Sequence, residues 1–476
     1  MLKEEMLNQN RFFFVGCFQS SQTSIVDEIY PQMKTMNLDG DRLSVRGCES
    51  VRESALKAMM SMNHLSCLQE MDISRCSSHV SFLGNCFPKS LQKLEIQRCR
   101  KESRISVNVR GTTQSHTALQ RLKIIECSKL VSFAGEGLAA PNLTHLEISR
   151  CRNLESVSMS EAPHAALQRI SIYECPELVS FAGKGLAAPV AKLETKFWEA
   201  ISISHLSCLQ KVHISYCCSA VSFANNCFPK SLQKLKISGC SNLEFPENSS
   251  STTAISLTSF SLDAFPNLKI LKIQQCKNLK SVSVGFISAL QCLTMVGCPE
   301  LVSFAGEGLD APNLTHLKVT DCASCWRVGL PPNLNQLLVG NRKKQVIGLS
   351  GMGNFHTLTL THLTIYGGFE GPKSYPEKGS LPHLPSLTTL HLYCFPNMKT
   401  LECNQLLPLT SLKHLLLSYC SNLRNMAGEK LSSSLSSFQI HICGLLGEHC
   451  KNRNHQIWAK ISHIPTIKVD GINLFE

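Results

Sequence analysis

The sequence predicts an α/β repeat solenoid, in which short parallel strands stack side by side and loops or short helical turns close each unit behind them. Three observations predict it. An apolar skeleton recurs along most of the chain, thirteen of the 24 cysteines occupy one position of that skeleton, and blocks of several units have been copied within the sequence.

The skeleton is plainest in PNLTHLEISRCRNLESV, Pro141–Val157, where Leu143, Leu146, Ile148, Cys151 and Leu154 carry it. Leu146 and Ile148 alternate with Glu147 and Ser149, the period-two pattern of a short strand with one buried face. Cys151 turns the backbone out of the strand, and Leu154 and Val157 return apolar side chains beneath the turn. A unit of about 20–29 residues made this way has an unsatisfied apolar edge on each side, so it must stack on copies of itself. Taking apolar residues three and five after the start and a cysteine-type residue eight after it, sixteen units begin at Gly40, Leu68, Leu91, Leu119, Leu143, Leu167, Leu209, Leu232, Leu268, Leu290, Leu314, Leu334, Leu360, Leu387, Leu412 and Leu435. The 42-residue interval after Leu167 predicts a decayed unit around Val190–Trp198.

Those units divide the chain into an N-terminal segment or cap (1–39), an array of about 16–17 repeats (40–444) and a C-terminal cap (445–476). In the first segment Arg11–Phe18 is apolar enough to cover the first turn, and Met33, Met36 and Leu38 read as a degraded repeat. Within the array, His64–Cys99 reappears as His205–Cys240, and Leu130–Ile148 returns from Leu301 as LVSFAGEGLDAPNLTHLKV. Glu247–Ala264, rich in Ser and Thr, and Gly367–Pro385, rich in Gly and Pro, read as excursions on the outer side. In the cap, Ile457, Trp458 and Ile461 mark a short helix stopped by Pro465, and TIKV a closing strand.

The cysteine ladder consists of Cys48, Cys76, Cys99, Cys127, Cys151, Cys175, Cys217, Cys240, Cys276, Cys298, Cys322, Cys420 and Cys443. Ladder side chains point the same way rather than at each other, a poor geometry for disulfides. The expected role is a small buried hydrophobe whose S–H meets a turn carbonyl, which suits a reducing compartment. No stretch approaches the roughly 18 consecutive apolar residues of a membrane helix. The N-terminus has acidic residues where a secretion signal needs positive charge. The expectation is a cytoplasmic chain, with the nucleus as the other compartment, and no membrane partner.

The irregular L-x-x-L-x-I-x-x-C-x-x-L units, the phrase CPELVSF at Cys175–Phe181 and Cys298–Phe304, Phe265–Val282 and the terminal HQIWAKISHIPTIKVDG, His455–Gly471, together resemble the leucine-rich-repeat region of plant nucleotide-binding disease-resistance proteins of the coiled-coil class. The resemblance covers residues 30–476. It implies a right-handed horseshoe with a parallel sheet on the concave face, and a sensor and autoregulatory role in plant immunity. The ligand it implies is a pathogen effector, a guarded host protein, or a nucleotide-binding domain in cis or trans. The family's phosphate-binding loop has no counterpart here: GGFEGPKS at Gly367–Ser374 places Pro372 between Gly and Lys. The rival reading is a substrate adaptor of an F-box ubiquitin ligase, whose repeats also place cysteine at the ladder position.

Function is expected on the outward strand positions. Five of the seven tyrosines fall six or seven residues after a repeat start: Tyr173, Tyr216, Tyr366, Tyr393 and Tyr419. His145, His213, His316, His362, His391 and His414 run beside them. Tyrosine brings large contact area at small entropic cost, which favours a protein-binding face over a merely good strand former. The net charge of +12 is partly local, in a stripe that includes Lys93, Arg98, Lys123, Arg150, Lys236, Lys269 and Lys272. Basic and aromatic positions are not interleaved, which argues against nucleic acid. No H-E-x-x-H, G-x-S-x-G or paired-carboxylate pattern occurs, and Cys322-Ala-Ser-Cys325 is a lone C-x-x-C, so neither enzyme, cofactor nor metal is expected.

Overall fold

The structure is a computed structural model. It describes residues 36–39, 41–46, 68–75, 90–99, 118–138, 140–159, 166–178, 180–182, 206–217, 229–240, 259–261, 265–283, 287–301, 303–305, 309, 311–322, 330–341, 349, 359–453 and 456–475. The expected decayed repeat at Val190–Trp198, the apolar run Arg11–Phe18, Cys48 and Cys76 lie outside them.

The chain forms two compact units, Met1–Leu232 with Asn242–Asn248, and Gln233–Ser241 with Ser249–Glu476. Each is a parallel β-solenoid of leucine-rich-repeat type. In the first unit the main sheet contains β1 (Met36–Asp39), β2 (Arg42–Arg46), β3 (Glu70–Ser74), β4 (Lys93–Gln97), β5 (Arg121–Ile125), β6 (His145–Ser149), β7 (Arg169–Tyr173) and β8 (Lys211–Ser215). In the second it contains β9 (Lys234–Ser238), β10 (Ile270–Gln274), β11 (Cys292–Val296), β12 (His316–Thr320), β13 (Gln336–Gly340), β14 (His362–Tyr366), β15 (Thr389–Tyr393), β16 (His414–Ser418), β17 (Ser437–His441), β18 (Thr466–Val469) and β19 (Ile472–Asn473). Every one of the sixteen repeat starts is followed two residues later by a five-residue strand. From β2 to β8 and from β9 to β18 consecutive strands pair in parallel without a register slip, as in Leu146↔Ile170 and Ile148↔Ile172.

From β3 to β18 the second and fourth residues of each strand are buried, Leu146 at 1% exposure and Ile148 at 0%, which leaves the first, third and fifth on the other face. The ladder cysteines that are described are all buried, and none is in a disulfide. Each donates its S–H to the carbonyl two residues back, the last of its strand: Cys151 Sγ to Ser149 O at 3.5 Å, Cys240 to Ser238 at 3.4 Å, Cys443 to His441 at 3.4 Å. Burial pushes the Cys276 thiol up, as it does Cys450, to about 12.

Behind the main sheets the chain makes short parallel strands. In the first unit Ser132–Leu138, Ser156–Met159 and Ser180–Ala182 form one three-stranded sheet. The second unit has two: Ser259–Ser261 with Ser281–Ser283 and Ser303–Ala305, and Ser374–Tyr375 with Thr400–Glu402 and Asn425–Ala427. Both expected excursions therefore contribute a strand to the array, and Tyr375 is 1% exposed. The physical reason is that each excursion brings a short segment with an aromatic residue, Phe260 or Tyr375, into parallel register with a neighbouring rear strand.

The ends differ from the repeats. Met36–Asp39 is not a degraded repeat: β1 runs antiparallel to β2 as a covering strand. At the other end α1 (Gly444–Lys451) precedes α2 (Trp458–Ile461), and Ile457, Ile461, Ile464, Ile467 and Val469 are fully buried. β18 extends the sheet in parallel, and β19 turns back on it antiparallel.

Candidate functional site

The residue before each ladder cysteine adopts positive φ although it is seldom glycine: Arg98 at 54°, Glu126 at 55°, Arg150 at 55°, Tyr216 at 54°, Tyr419 at 58°, Ile442 at 51°. This left-handed residue ends the strand and swings its side chain to the margin of the sheet. Tyr216 and Tyr419 occupy it, whereas Tyr173, Tyr366 and Tyr393 are the fifth residues of their strands. Both positions lie at the same strand end, so the tyrosines meet.

In the second unit they form a continuous strip. Tyr366 and Tyr393 have ring centroids 5.5 Å apart, Tyr393 and Tyr419 5.3 Å, and Tyr419 and His441 5.6 Å. His391 stands edge-on to Tyr393 at 5.5 Å and shares a hydrogen bond with Ser418 Oγ at 2.9 Å. Burial lowers the His391 pKa, which keeps the ring neutral. Offset and edge-to-face arrangements at such distances are the favoured ones for aromatic pairs. Tyr419 is 42% exposed, so the strip is reachable. His441 lies six residues after Leu435, the same offset that places Tyr366 and Tyr393. In the first unit Tyr173 and Tyr216 pair at 5.5 Å, edge to face.

Three histidines share a fixed hydrogen-bond pattern. The Thr144 hydroxyl lies 2.9 Å from Gln120 O and 2.8 Å from His145 Nδ1. Thr315 and Thr361 do the same for His316 and His362. Where the hydroxyl hydrogen goes to the carbonyl, Nδ1 donates the ring hydrogen to the hydroxyl; where it goes to Nδ1, the ring carries its hydrogen on Nε2. Burial lowers the His145 pKa, helped by Arg169, Arg121 and Lys211. His213 Nε2 lies 2.6 Å from Ser215 Oγ. His414 opens β16 and is half-buried, with no aromatic neighbour among the described residues.

The basic positions separate into two kinds. In the first unit Lys123 bonds Glu147 at 3.2 Å, and Glu70 holds both Lys93 at 3.2 Å and Arg42 at 3.8 Å. Arg98 and Arg150, expected at outward strand positions, sit instead at the left-handed residue and alternate there with Glu126 and Glu174. The resulting chain of ion pairs runs Arg98–Glu126 at 2.6 Å, Arg150–Glu126 at 2.9 Å and Arg150–Glu174 at 3.1 Å. A hydrogen bond to Glu174 raises the Tyr173 pKa. In the second unit Lys236 and Lys272 are third residues of adjacent strands and register neighbours.

Among the described residues no group of three or more His, Cys, Asp or Glu side chains is placed to hold a metal ion, and no helix is long and apolar enough to cross a membrane. No family model matches the sequence. The chain is 27% identical over 312 residues to "Putative disease resistance protein At3g14460" of Arabidopsis thaliana, a match covering 55% of this chain. It spans 21% of that relative's length. Among solved structures it is similar to the circular leucine-rich-repeat protein CroV588, at 14% identity, TM-score 0.37, and coverage of 86% of this chain and 67% of that one. It is similar also to the leucine-rich-repeat protein LIC12759 of Leptospira interrogans, at 15% identity, TM-score 0.37, and coverage of 88% and 92%.

Proposed function

We propose that this leucine-rich-repeat array, similar in sequence to a plant disease resistance protein, is the protein-recognition and autoregulatory module of an immune receptor. It works in the cytoplasm or nucleus and performs no catalysis. The observation that carries the reading is the aromatic strip Tyr366–Tyr393–Tyr419–His441, built at one strand end and left open. Large, rigid, amphipathic rings in contact with each other form a surface that orders little on binding. Its ligand is a pathogen effector, a guarded host protein or the receptor's own nucleotide-binding domain. Regulation by such a ligand requires that it bind one receptor state more tightly than the other.

The test uses the full chain as bait against plant protein extract, with Tyr366, Tyr393 and Tyr419 together replaced by alanine. Proteins held by the native chain and lost from the variant, at an unchanged thermal midpoint, support the reading. Identical retained sets refute it.

A further inference from the structure

Among the described residues the open face of the second unit carries no carboxylate on β9–β17, and Asp470, just after β18, is taken up by His441 at 3.6 Å. From β9 to β17 the first, third and fifth residues of nine parallel strands include neither Asp nor Glu, whereas the first unit places Glu70, Asp72, Glu95 and Glu147 among the same positions. Lys234, Lys236, Lys272 and Lys318 stand on this face of β9, β10 and β12, with Lys269 just ahead of β10 and exposed His316 opening β12. None of the five lysine side chains makes an ion pair or a hydrogen bond among the described residues. Along the margin of those strands the left-handed residues are Gly239, Gln275, Gly297 and Asp321, one carboxylate at the far end.

Like charges on neighbouring strands destabilise a sheet. Lys236 and Lys272 are register partners, on strands about 4.8 Å apart. Folding gains nothing from that arrangement, and in the first unit the equivalent Lys123 is offset by Glu147. Among the described residues no side chain supplies that counter-charge, which leaves it for a partner to provide. Continuing across the same sheet, the cationic strands give way to the aromatic strip on β14–β17. Cations and aromatics on separate strands do not suit a polynucleotide, whose phosphates and bases alternate along the chain.

We propose that β9–β12 form the docking site for an acidic protein segment, whose adjoining apolar or aromatic residues continue onto the tyrosine strip. The segment needs a run of roughly four to six carboxylates, since three strand spacings make about 14 Å and an extended chain advances about 3.3 Å per residue. This deepens the recognition reading by giving the partner's chemistry, and it rests on that reading.

The test titrates the full chain with three labelled probes: a peptide carrying a glutamate run followed by leucines and tyrosines, its twin with glutamine for glutamate, and oligothymidylate. The glutamate peptide is expected to bind roughly tenfold more tightly than its twin at low salt, with the gap closing as ionic strength rises. Lys236→Gln, Lys272→Gln and Lys318→Gln together should abolish the gap without lowering the thermal midpoint, because repulsion is relieved. Equal binding of the two peptides, a gap that survives the lysine changes, or tighter binding of oligothymidylate overturns the proposal. A glutamate preference that persists while the tyrosine variant loses no extract protein sinks the strip alone. The reverse pattern sinks the lysine site alone.

Discussion

The Tyr393 ring meets Tyr419 at 5.3 Å between centroids, with planes 66° apart, although the two residues occupy different positions of their repeats. The left-handed backbone at Tyr419 is what brings them level. A double-mutant cycle of Tyr393→Ala and Tyr419→Ala, read by urea unfolding, is expected to give a coupling of about 0.5–1 kcal/mol. Strict additivity would mean that the rings do not touch in solution.

Gly340 makes room for the first ring of that strip. A Cβ there would come within 2.3 Å of Tyr366 O and 2.4 Å of Tyr366 Cβ, at a φ of 150°. Gly340→Ala should therefore cost about 1–3 kcal/mol in stability and displace Tyr366. Chemical denaturation together with the fluorescence of the aromatic strip checks both.

His391 gives a pH dependence. Burial lowers its folded pKa, so the neutral ring is favoured in the fold. Its contribution is complete above the unfolded value of about 6.5 and is lost as pH falls through the folded one. Thermal midpoints measured between neutral and mildly acid pH should fall less steeply in His391→Gln. Parallel curves for the two proteins would dismiss this role.

Glu126 acts in the same direction at lower pH. Hydrogen bonds from Arg98 and Arg150 lower its pKa, against the opposing effect of burial. The stabilisation is present above the unfolded carboxylate value of about 4.3 and disappears as pH drops through the folded value. Because the pairs are partly exposed, Glu126→Gln should cost only about 1 kcal/mol at neutral pH, and less in high salt.

The thiols offer a chemical check. Exposed Cys208 should react quickly with a thiol reagent in the native protein, whereas Cys151, Cys175 and Cys298 should react only on unfolding. Fast labelling of Cys151 would contradict its burial.

The spine was legible because Leu146, Ile148 and Cys151 are all determined by one demand, burial at a fixed period. The aromatic face followed from the same alternation. What alternation does not encode is φ: nothing in an arginine or a tyrosine announces a left-handed backbone, so Arg98, Arg150, Tyr216 and Tyr419 read as strand residues. Helix α1 was hidden because GLLGEHCK holds two glycines and starts after Cys443, which supplies no side-chain cap. The rear strands were too short for their pattern to outweigh the serines and glycines around them.

The backward bend before each thiol leaves one side chain per turn answerable to no interior packing. Arginine, glutamate and tyrosine fill that slot in one unit, glycine, glutamine, aspartate, tyrosine and isoleucine in the other, and the hydrophobic spine is indifferent to the exchange. Such an array can acquire a different rim chemistry by single substitutions, turn by turn, while its scaffold stays unchanged.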